Sequence, residues 1–214
     1  MICARVENHM GNVWTRIQGK TDEEDAEMRQ MLQSSLQRKE QLGDREGMGH
    51  SYAAMGRLAL YVDQDPDKAE ECFESNLSLL RETGTRMYIP QTLNHLGEAF
   101  FLHSKKGEGS SEEHITQSLA YSRQSLTMAL KMHAPDSGKP VGLNVFFAIK
   151  QILTVLDAQE MPTTSLEALF GGEWTPSQER VVTQWVQEGN ESPLQQRVGA
   201  GEAFRRVELH AVQV

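Results

Sequence analysis

Three glycines, each preceded by Met or Leu, recur along the chain at near-even intervals. Gly11, Gly56 and Gly97 are separated by 45 and then 41 residues. Around them NHMGNVW (Asn8–Trp14), AAMGRLAL (Ala53–Leu60) and NHLGEAFF (Asn94–Phe101) share one order: a large apolar residue, Gly, a polar residue, then apolar residues. A second signature keeps the same offset. LGDREG (Leu42–Gly47) and TGTRMY (Thr83–Tyr88) set Gly43 and Gly84 41 residues apart, with Arg45 and Arg86 in step and Leu36 over Leu77. Self-similarity at such a period is the mark of a fold built from one repeated supersecondary unit.

Each unit reads as two helices. Asp65-Pro66 suits a helix start, because Asp caps and Pro is tolerated at the first position, where its missing N–H has no partner to lose. Ala69, Phe73, Leu77 and Leu80 then share one face at three-to-four spacing, and so do Ile89, Leu93, Leu96 and Phe100. Gly84 follows the first of these runs, where a left-handed cap favours a residue without Cβ. Capping boxes are expected at Thr21/Glu24, Ser110/Glu113, Thr164/Glu167 and Thr175/Gln178. The pattern predicts helices near 3–18, 22–42, 46–63, 66–82, 86–105, 111–132, 140–158, 164–170, 176–188 and 194–210, and no strand. Lys105–Ser111 interrupts the period as an exposed insertion, and Ala134–Pro140 is a second break.

A mid-helix glycine costs about 1 kcal/mol relative to alanine. Its recurrence at one point of each unit therefore needs a compensating cause, and close approach of the paired helix supplies one. These residues resemble the tetratricopeptide repeat in its longer form of about 40 residues, as in Pins-type polarity scaffolds and the sensor arms of bacterial signalling regulators. The resemblance rests on Met10-Gly11, Met55-Gly56, Leu96-Gly97, the two linkers and Ala69…Phe73…Leu77. It covers residues 5–132 well and 140–170 loosely, and none is seen from 171 on.

The resemblance implies an all-α, right-handed solenoid of three to four helix pairs over 1–170, with a helical tail over 171–214. Trp174 and Trp185 in that tail are read as a cap on the open end of the stack, or alternatively as anchors for a partner. The chain begins inside its first repeat, as a shortened cap or as a fragment of something longer. The resemblance also implies a concave face, lined by the first helix of each pair, that takes a peptide or protein. Carried over by position, it picks Asn8, Ala53 and Asn94 before each glycine, and Asn12, Arg57 and Glu98 after it. Tyr61 and Leu102 lie five residues after, and His50 and Gln91 six before. The centre of the groove is expected around Arg57, Tyr61, Asn94 and Glu98, with Arg57 and Tyr61 directed to solvent. An asparagine amide offers both a donor and an acceptor to a ligand backbone.

Composition narrows the function classes. With 21 Lys plus Arg against 30 Asp plus Glu the net charge is −9, the wrong sign for a partner rich in phosphate. Residues are 38% hydrophobic and 24% charged, within the range of folded soluble chains. No apolar run approaches a membrane span, and the N-terminus lacks the basic-then-apolar order of a signal peptide. Cys3 and Cys72 are too few for a disulfide or zinc framework, and a reducing cytosol suits both; Cys72, beside Phe73, reads as core.

Nucleotide-loop, dinucleotide and serine-hydrolase motifs are absent. The histidines, including His9, His95, His103 and His114, lack the spacing of a helical metal pair, so structural or surface roles are expected. The expectation is a cytoplasmic binding scaffold without catalytic site, cofactor or metal. Two alternatives stay open: a peptide-responsive sensor module of a larger signalling or transcription protein, and a regulatory enzyme subunit with an unrecognised site.

Overall fold

Thr21 opens the first helix with a reciprocal pair of bonds: Glu24 N–H donates to Thr21 Oγ1 (3.2 Å) and Thr21 N–H donates to Glu24 Oε2 (2.8 Å). The computed structural model describes residues 21–107, 110–132, 143–160, 170–171, 175–176 and 178–180. Among them, helix α1 runs Asp22–Leu42, α2 Arg45–Leu58, α3 Pro66–Glu82, α4 Ile89–Lys106, α5 Ser111–Met132 and α6 Leu143–Ala158. No strand occurs among the described residues. The expected helix at 3–18, with Asn8 and Asn12, lies outside them, and so do the Thr164 box and most of the tail. Within the tail, Thr175 and Gln178 form the expected box, with Gln178 N–H donating to Thr175 Oγ1 at 3.2 Å.

Local chemistry accounts for most boundaries. Gly43 and Gly84, 41 residues apart, both take the left-handed conformation, at φ +65° and +72°; without Cβ they do so at little cost. Asp44 caps α2 through Gly47 N–H (2.8 Å), and Asp65 caps α3 through Lys68 N–H (3.0 Å), with Pro66 at the first helical position.

Two refinements modify the expected map. The helix expected to run through 63 becomes a π-helical turn at Ala59–Asp63, closed by Gln64 at φ +53°. The helix expected from 86 begins with a 3-10 turn over Arg86–Tyr88, where Ile89 N–H bonds Arg86 O. Pro90 has no N–H to return to Arg86, so the turn closes with the shorter bond instead.

The chain divides into two compact units, Met1–Ser118 and Leu119–Val214. In the first, α1 packs on α2, α2 on α3, and α3 on α4. Met28 and Leu32 of α1 meet Ala54 and Leu58 of α2 in one cluster, and Phe73, Leu93 and Leu96 are fully buried. Gly56 faces the ring of Phe73, and Gly97 O accepts from Ser118 Oγ at 2.6 Å. Both repeated glycines thus bring backbone against the following helix. In the second unit, Leu119, Leu126 and Leu130 are buried on α5, and Val145, Ile149, Ile152 and Leu156 on α6.

Ion pairs join elements at the surface. Arg29 of α1 pairs with Asp63, and Arg45 of α2 with Glu82 at the end of α3. Both are exposed and rank below the apolar core as sources of stability.

Candidate functional site

The best-formed polar cluster lies where the π-helical turn meets α4. Tyr61 projects from the turn and is 42% exposed. Its hydroxyl donates to Glu98 Oε2 of α4 and stands 3.1 Å from His95 Nδ1. Asn94 Nδ2 donates to Glu98 Oε1 at 2.9 Å. The His95 ring stacks on Phe73 of α3, with centroids 5.0 Å apart and planes 18° apart, and meets Tyr61 edge-on.

Two atoms of this cluster are buried without a hydrogen-bond partner: Asn94 Oδ1 and His95 Nε2. Such groups are uncommon in folded proteins and each costs about 1–3 kcal/mol. Proton bookkeeping sets their character. The single Tyr61 proton goes to Glu98, so the short contact with His95 needs the proton on Nδ1. With that proton in place, Nε2 is an acceptor in a neutral ring and a donor in an imidazolium. Asn94 Oδ1, an amide oxygen, is an acceptor.

The expected groove residues divide. Tyr61, Asn94 and Glu98 are brought together. Asn94 is only 3% exposed, and the Glu98 side chain is 23% exposed. Arg57 corrects the expectation of a solvent-directed guanidinium, since it is 8% exposed. His50 is half-buried and sits edge-on to Tyr88, centroids 5.4 Å apart. Burial pushes the His50 imidazole below its ordinary value; Glu46 opposes this, and Lys39 and Arg57 reinforce it. Gln91, Leu102 and Ala53 are half-buried. Asn8 and Asn12 lie outside the described residues.

His95 is the member that the repeat register did not select. Spacing assigned the histidines structural or surface roles, and the stack on Phe73 agrees with part of that. The available signal was its place between Asn94 and Glu98, which puts a third polar group beside two expected ones.

A second cluster joins α3, α4 and α5. His103 Nε2 lies 3.5 Å from Glu70 Oε2 and 3.8 Å from Asp67 Oδ1, and its ring stacks on His114 at 4.9 Å. Burial is the main cause that pushes the Glu70 carboxyl above its ordinary value. Among the described residues no group of three or more His, Cys, Asp or Glu side chains is arranged to hold a metal ion. No helix among them is long and apolar enough to cross a membrane. Cys72 is 1% exposed, and burial pushes its thiol up to about 11, which removes it as a nucleophile.

No family model, curated protein or solved structure matches the chain.

Proposed function

We propose that the chain is a protein- or peptide-binding scaffold of tetratricopeptide-type helix pairs, and that its docking face is formed by α2, the π-helical turn and α4. The observation that carries this reading is the Tyr61–Glu98 bond, which joins an exposed aromatic on one first helix to the polar cluster on the next. Exposed Tyr side chains are common anchors at interfaces. The equal left-handed glycines at 43 and 84, and the two glycines set against following helices, support repeated pairing of the same kind.

The test is partner capture by the full chain beside its Tyr61→Ala variant. Loss of this side chain is expected to weaken binding by roughly 1–3 kcal/mol, with little change in the unfolding midpoint because Tyr61 is exposed. A captured partner held equally well by the variant would count against this face.

A further inference from the structure

We draw no further inference here: the strongest candidate, the side-chain cluster of Asp67, Glu70, His103 and His114 where α3, α4 and α5 meet, is not arranged to hold a metal ion, and nothing in the structure shows a ligand or partner that would engage it.

Discussion

A Cβ placed on Gly56 would stand 2.8 Å from Cε1 of Phe73, and within 3.0 Å of two further ring atoms. Phe73 has no room to yield, since it is fully buried and stacked on His95. Gly49, two turns earlier on α2, differs. Its Cβ would meet Asn76 and Leu79 at 3.6 Å, an ordinary contact. The two positions separate steric need from helix propensity. Gly56→Ala should destabilise the fold, because overpacking costs about 1–3 kcal/mol against a propensity gain of about 1 kcal/mol. Gly49→Ala should be neutral or stabilising by up to about 1 kcal/mol. Urea unfolding of both variants decides it, and stabilisation by Gly56→Ala would refute the close approach.

Asn76 is the polar tie between three helices. Its Nδ2 donates to Gly49 O of α2 at 2.5 Å, and its Oδ1 accepts from Thr92 Oγ1 of α4 at 2.6 Å. Asn76→Ala strands a buried carbonyl and half of a hydroxyl's bonding, since Thr92 keeps its bond to Tyr88 O. A loss of about 2–3 kcal/mol is expected. Thr92→Val should cost less, because the carbonyl of Gly49 keeps its donor. Equal losses in denaturant melts would show that the tie through Gly49 O carries little.

Cys72 should resist alkylation in the folded protein. Its thiol is buried and raised to about 11, so both the thiolate and its access are scarce near neutral pH. Mass mapping after iodoacetamide treatment should show Cys72 unmodified in buffer and fully modified in denaturant. Modification in buffer at the rate of a free thiol would place Cys72 outside the core.

Stability should depend on pH through His50. Burial, reinforced by Lys39 and Arg57 and opposed by Glu46 and Asp44, lowers its folded pKa below the ordinary 6.5. The unfolded chain therefore takes up this proton first as pH falls. The His50 share of stability is complete above that ordinary value and is lost as pH falls through the lower folded one. Glu70 runs the other way: its raised carboxyl gives a share present below its ordinary value and lost as pH rises through the folded one. His50→Gln should flatten the dependence of the unfolding midpoint between roughly pH 5 and 7. An unchanged slope would show that His50 titrates alike in both states.

Arg57 and Tyr61 separate two kinds of position on one helical segment. Arg57 is buried and Tyr61 exposed, so Arg57→Ala should lower the thermal midpoint clearly more than Tyr61→Ala does. The mechanism is lost packing and lost polar contacts around a buried guanidinium. Calorimetry of the two variants would contradict the placement if their order were reversed.

Helix starts and stops were legible because they are local. Thr21 with Glu24, Asp65 with Pro66, and the glycines at 43 and 84 act on backbone groups within a few residues of themselves, so α1, α3 and α5 begin and end where the spacing predicts. The apolar faces were legible for the same reason: Leu36 and Leu77 occupy one position of the repeat and both are buried. The site was only half legible. Repeat position brought Tyr61, Asn94 and Glu98 into one list but did not distinguish Arg57, which is inside, from Tyr61, which is outside. That distinction depends on how neighbouring helices cover each side chain, and periodicity carries no record of a neighbour. The π-helical turn at Ala59–Asp63 has no composition signal either, because it differs from an α-turn only in which carbonyl each N–H finds. His95 shows the same division. Its place on α4 follows from sequence alone, whereas its contact with the Tyr61 hydroxyl and its stack on Phe73 come from groups on two other elements, which only the folded chain brings within reach.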